Sequence, residues 1–199
     1  MTVRVTLIAP STNEALREVR FDDQSPLDPA GFTRAEAVAD TLAPGVHVYS
    51  SPSPRCHETA QALGLDAETL TDLAGCDMGR WRGRTLDAVA ALEGEAVALW
   101  LSDPTAAPHG GESVRELRVR VGAWLDGLWS QAGRILAVVE PDVIRAAVLH
   151  ALGAPDEAFW RLDVRPLTAT ELSGRAQRWN ALCGRPLGPQ TTETPSVPR

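Results

Sequence analysis

The apolar residues follow two rhythms along the chain: short β-branched runs, and longer stretches in which they recur every three or four positions. Val3-Arg4-Val5-Thr6-Leu7-Ile8 predicts a buried strand that stops at Ala9-Pro10-Ser11. Asp28-Pro29-Ala30-Gly31 supplies a turn or helix start, and Ala35, Val38, Ala39 and Leu42 follow at helical spacing. Val46-His47-Val48-Tyr49 predicts a short strand. Ser50-Ser51-Pro52-Ser53 then opens a helix carrying Ala60, Leu63 and Leu65. Asp77 to Gly83 is loop-like, and helical periodicity resumes through Leu86, Val89, Ala90 and Leu92. A polar stretch from Ser102 to Gly111 precedes an amphipathic helix with Val114, Leu117, Val121, Leu125 and Leu128. Ile135 to Val139 is the cleanest buried strand, bounded by Gly133 and Pro141, and Val143 to Leu152 returns as a helix. Leu162-Asp163-Val164 and Ala169 to Leu172 alternate as short strands. From Gly184 the chain is rich in Pro, Thr and Gly, which predicts a disordered tail over 184–199.

Strands alternating with helices, without repeats or a linker, argue for a single α/β domain over residues 1–183 with a mainly parallel sheet. Ligands of such sheets bind at the carboxyl ends of the strands, where strand order switches. The loops after Ile8, Tyr49 and Val139 are therefore the places to look for chemistry.

Composition narrows the classes. The chain of 199 residues carries a net charge of −7, which argues against a general nucleic-acid binder, because neutralising phosphates needs a Lys/Arg excess. No apolar run approaches the ~20 residues that span a bilayer, and the N-terminus lacks the apolar core of a signal peptide. Cys56, Cys76 and Cys183 form neither a CxxC pair nor a disulfide-dense pattern, which suits a reducing cytoplasm. No cofactor and no metal site is implied, and oligomeric state is left open.

Four segments in order carry a family resemblance: Ser50-Ser51-Pro52-x-x-Arg55-x-x-Glu58-Thr59-Ala60, Gly79-x-Trp81-x-Gly83, Gly110-Gly111-Glu112-Ser113 and Val143-Ile144-Arg145-Ala146. Together they resemble the histidine phosphatase (phosphoglycerate-mutase-like) superfamily. The Gly-x-Trp-x-Gly loop is most similar to the branch containing α-ribazole phosphatases. The resemblance implies a three-layer α/β/α fold. It also implies that active members end the first strand in Arg-His-Gly, whose His accepts the phosphoryl group. A second His in Ser-His-Gly-Gly stabilises the group in transfer, and a Glu before Gly-x-Trp-x-Gly acts as acid/base. Here Ala9-Pro10-Ser11, Val139-Glu140-Pro141-Asp142 and Gly75 stand at those places. The resemblance thus implies a degenerate member without either catalytic histidine.

Each departure has a chemical consequence. Proline offers no nucleophile, Ala9 removes a bidentate phosphate clamp, and Glu140 sets an anion where a potential cation is expected. Arg55 admits two readings: an anion ligand on the pocket floor, or a cation paired with Glu140. Glu140 is either a general base or, as favoured here, a carboxylate neutralised by Arg55. Ser11, Asp142 and Glu112 complete the expected ligand pocket, Ser11 as a hydrogen-bonding or capping residue and Glu112 as a support or substrate contact. Trp81 and Arg82 belong to a loop that covers the pocket or anchors packing. His57 with Cys56, Cys76, Glu140 and Asp142 matches no metal-ligand spacing, so a solvent-facing His is expected. His150 is expected to pack or sit at a helix end, and His47 and His109 carry no signal. Three functions follow: a binding or regulatory module for a small anionic or polar metabolite, an enzyme repurposed for proton transfer by Glu140 and Asp142, or a weak phosphomonoesterase.

Overall fold

In chain order the protein forms β1 (Val3–Ile8), α1 (Glu14–Arg17), α2 (Pro29–Glu36), β2 (His47–Ser50), α3 (Pro54–Ala62), β3 (Glu68–Thr69), α4 (Leu86–Ser102), α5 (Val114–Gly127), β4 (Gly133–Val138), α6 (Pro141–Leu152), β5 (Thr168–Arg175) and β6 (Arg178–Pro186). The structure is a computed structural model and describes residues 2–42, 47–130 and 133–188. One six-stranded sheet runs β3-β2-β4-β1-β5-β6. Its first four strands are mutually parallel, whereas β5 pairs antiparallel with β1 and β6 antiparallel with β5. The expected α/β domain with a mostly parallel sheet is found, with an antiparallel hairpin added at one edge.

The period-two alternation of the strands sends alternate side chains into different layers. Val3, Val5 and Leu7 of β1 join Ile135 and Ala137 of β4 against Leu117, Val121 and Leu125 of α5 and Ile144, Ala147 and Val148 of α6. Ile8, Leu136 and Val138 turn to the opposite face, onto Cys56, Ala60 and Leu63 around α3. Each such aliphatic side chain, fully buried, contributes about 1.5–3 kcal/mol. A third cluster, Met78, Trp81, Val89, Val97 and Trp100, packs with Phe21 and Trp160.

Several predicted elements shift. Residues 162–164 form no strand; a 3-10 helix over Asp156–Arg161 precedes them, and Leu162 O accepts a hydrogen bond from Arg145 Nε at 2.7 Å. The stretch from Ala35 to Leu42 is not one helix, because α2 ends at Glu36 and a 3-10 turn covers Ala39–Thr41. Residues 184–186, expected in the tail, complete β6, and Leu187 behind them is buried. β6 escaped sequence reading because it is an edge strand with mostly exposed side chains, which leaves no hydrophobic period to detect. Its turn, Ala176-Gln177, has positive φ at both residues, as a two-residue hairpin connection requires. Val46 of the predicted second strand and residues 189–199 of the predicted tail lie outside the described residues.

Candidate functional site

The carboxyl ends of β2, β4 and β1 are stitched side by side. Ser51 N donates to Val138 O at 2.9 Å, and Val139 N donates to Ile8 O at 3.0 Å. The loops that leave these strands open onto a cavity of about 390 Å³. Ser51, Ser53, Arg55, Gly75, Glu140 and Asp142 line its polar side, and Phe21, Met78, Trp100, Phe159 and Trp160 its apolar side.

Arg55 and Glu140 meet on the polar side. The guanidinium Nη2 donates to Glu140 Oε2, and Nε reaches Oε1 at 3.4 Å, with the two side chains 11% and 7% exposed. The pair predicted from sequence is therefore present. Ser53 shows why the geometry is firm: as N-cap of α3 it accepts from Cys56 N at 3.2 Å, and its hydroxyl donates to Glu140 Oε1 at 2.7 Å. Cys56 Sγ adds a contact to the same oxygen at 3.5 Å. Burial works against the Arg55 charge, but Glu140 outweighs it and holds the guanidinium above its ordinary pKa. Burial and the Glu140 charge push the Cys56 thiol well up, so it is no ready nucleophile.

Glu140 is also the N-cap of α6, yet its side chain makes no capping bond because it is turned toward Arg55. The space it enters is left by Gly75. A Cβ at position 75 would lie 3.1 Å from Glu140 Cγ and 3.5 Å from Asp142 Oδ2. Asp142 lies in the first turn of α6 and accepts from two backbone N–H groups, Cys76 N at 2.6 Å and Val143 N at 2.8 Å. Burial, then the neighbouring Glu140 charge, pushes its carboxyl up to about 6. Those effects outweigh the backbone bonds, which favour the ionised form.

The remaining expected residues separate. Ala9 is enclosed by backbone pairing at the sheet, with its N–H on Thr168 O and its carbonyl accepting from Leu167 N. Pro10 is buried beside it. Ser11 is fully buried and does not line the cavity. Its hydroxyl donates to Gly31 O at 2.7 Å and its N–H to Thr59 Oγ1 at 3.1 Å. The two backbones approach closely enough here to require glycine, since a Cβ on Gly31 would overlap Thr12 O. Glu112 also stays out of the cavity, since both of its oxygens are taken by Arg120, at 2.9 and 2.6 Å. Both pocket expectations are replaced by local structural bonds.

Trp81 is a packing anchor, fully buried with its indole N–H on Glu93 at 3.2 Å, while Arg82 does reach the cavity wall. His57 and His47 are exposed. His109 is buried against Trp81, and burial lowers its pKa. His150 pairs with Asp126 at 3.0 Å. None of the four histidines is among the cavity's lining residues. Among the described residues no group of three His, Cys, Asp or Glu is placed to hold a metal ion, and no helix is long and apolar enough to cross a membrane. Sequence reading missed Phe21, Trp100 and Trp160, whose convergence depends on how three distant segments pack.

Comparison with known proteins adds ancestry to this geometry. The family model described as histidine phosphatase superfamily (branch 1) matches residues 10–183. Glucosyl-3-phosphoglycerate phosphatase of Mycobacterium tuberculosis is 30% identical over 166 residues, 79% of this chain and 74% of that protein. Bifunctional protein Rv2228c of the same species is 32% identical over 156 residues, 73% of this chain; the chain spans 43% of that relative's length. Among solved structures, mycobacterial glucosyl-3-phosphoglycerate phosphatase with VO3 superposes with a TM-score of 0.82 at 25% identity, over 92% of this chain and 98% of that one. Alpha-ribazole phosphatase of Shigella flexneri shares the fold with a TM-score of 0.80 at 20% identity, over 94% and 99%.

Proposed function

The chain belongs to the histidine phosphatase superfamily (branch 1), and from that membership we propose that it is a binding or regulatory module that has kept the fold without phosphohistidine turnover. One observation carries this reading: the carboxylate of Glu140 sits on Arg55 and Ser53, where an ester phosphate would have to be held. An incoming phosphate must displace that carboxylate or lie beside it. Two like unit charges at ~4 Å and an effective dielectric near 20 repel by about 4 kcal/mol. The ends of β1 and β4 supply Ala9, Pro10 and Glu140 instead of an imidazole to take the phosphoryl group. Arg55 remains the anchor for any anion that does displace Glu140. The reading implies no cofactor or metal, a small-molecule partner, no nucleic acid and a cytoplasmic location.

A second reading is favoured by Asp142, which lines the cavity and whose carboxyl burial pushes up to about 6. It would make the protein an enzyme repurposed for proton transfer, with Asp142 as the base, its pKa raised by burial and then by the Glu140 charge. Glu140 is the poorer base, because Arg55, Ser53 and Cys56 already occupy its oxygens.

Phosphatase assays decide the first point. Purified protein incubated with p-nitrophenyl phosphate, glucosyl-3-phosphoglycerate and α-ribazole 5′-phosphate is expected to release no phosphate above the buffer rate. Turnover that disappears in Arg55→Ala would overturn the proposal and make the chain a phosphomonoesterase like its relatives' names.

A further inference from the structure

The charges around the cavity are not equally satisfied. Arg20 donates to Glu18 and to Gly83 O, Arg82 to Asp77, and Arg55 to Glu140. Arg145 gives its Nε to Leu162 O and lies 5.7 Å over the Phe159 ring. Asp142 has backbone donors only, and like Arg145 it has no salt-bridge partner among the described residues. The wall beyond it is aromatic. Trp100 and Trp160 stand edge to face at 4.4 Å, Phe159 meets Trp160 at 4.8 Å, and Phe21 meets Trp100 at 5.7 Å. Trp100, 8% exposed, adds a buried indole N–H with no acceptor among the described residues. A carboxylate with no cation in salt-bridge distance, in a cavity lined on its other side by aromatic residues, can pair with an organic cation.

We propose that this cavity binds a small organic amine, its ammonium paired with Asp142 and its apolar body lying against Phe21, Trp100 and Trp160. The inference rests on the preceding reading in one respect: Glu140, and not a ligand anion, neutralises Arg55. A primary ammonium supplies up to three donors and a positive charge within salt-bridge reach of Asp142, which no described side chain provides. The groups facing Asp142 are Glu140 with the Arg55 it holds, Cys76 from the preceding loop, Arg120 of α5, engaged by Glu112, and Arg145 one turn along α6.

The test is a titration of the full chain followed by tryptophan fluorescence, using phenethylamine, its neutral counterpart 2-phenylethanol, and inorganic phosphate. Phenethylamine is expected to saturate at least tenfold more tightly than the alcohol at pH 7.5. Its affinity in the unaltered protein should fall about tenfold by pH 5, as a carboxyl titrating near 6 is protonated. Asp142→Asn should erase both the preference and the pH dependence, and Trp160→Leu should weaken binding while keeping the pH dependence. Equal binding of amine and alcohol, or no saturation by the amine, overturns the inference and leaves the preceding reading standing if the phosphatase assays are blank. Saturation by phosphate that Arg55→Ala abolishes overturns the inference, because Arg55 is then free of Glu140, and leaves the preceding reading to the phosphatase assays.

Discussion

Glu140 closes the Arg55 charge inside the protein, and the cost of that arrangement is set by burial. Removing one partner of a buried pair leaves the other uncompensated, which destabilises by about 3–5 kcal/mol. Glu140→Gln keeps the shape and loses the charge, so it is expected to lower the unfolding free energy in urea by on the order of 3 kcal/mol. The double variant Arg55→Met with Glu140→Leu should recover most of that loss. A double variant no more stable than either single would show that the pair is not the source. Gly75 belongs to the same unit, since a Cβ there would press on Glu140 Cγ at 3.1 Å. The pairing was legible in sequence because Arg55, in the first turn of α3, and Glu140, the N-cap of α6, follow two strands that the parallel topology sets side by side. The Ser53 bond was not legible, because a helix cap has no marker for a second partner on the other side of a cavity.

At the scale of elements, the helices that frame the site are fixed by their ends. α5 opens with a capping box: Ser113 Oγ accepts from Glu116 N at 3.2 Å, and the Glu116 carboxylate accepts from Ser113 N at 2.8 Å. Ser113→Ala is expected to cost about 1 kcal/mol in chemical denaturation, with the same dependence on denaturant. An unchanged midpoint would mean that the Glu116 bond alone suffices. α5 and α6 then meet at Gly122, where a side chain would overlap the His150 ring. That contact lets the His150 ring pack between the two helices. α6 ends on Gly153 in the left-handed conformation, its N–H returning to His150 O at 3.1 Å.

For the molecule as a whole, Asp142 links the cavity to stability. An acid whose pKa is raised on folding, here from 3.8 to about 6, is held more comfortably protonated. Its penalty is absent below about pH 4, grows through the window up to 6 and is complete above it. Asp142→Asn is therefore expected to be more stable than the unaltered protein at pH 7.5, by on the order of 2 kcal/mol, with the advantage vanishing by pH 4. His109 works the other way, because a buried histidine with a lowered pKa loses stability as pH falls through its unfolded value near 6.5. The difference between the two proteins across pH, measured by urea denaturation, isolates the aspartate. A constant difference would remove the charge of Asp142 as its cause.

The sequence by itself determined the alternation of strands and helices, the burial of β1 and β4, and the loops that flank the site. Those follow from hydrophobic period and chain order, which are local properties. Only the tertiary structure decided the rest. Ser11 and Glu112 turned from cavity to framework because nearby acceptors and donors claimed them first. β6 formed because an edge strand needs only a neighbour's backbone. Phe21, Trp100 and Trp160 became one wall because packing joins residues that no sequence period relates.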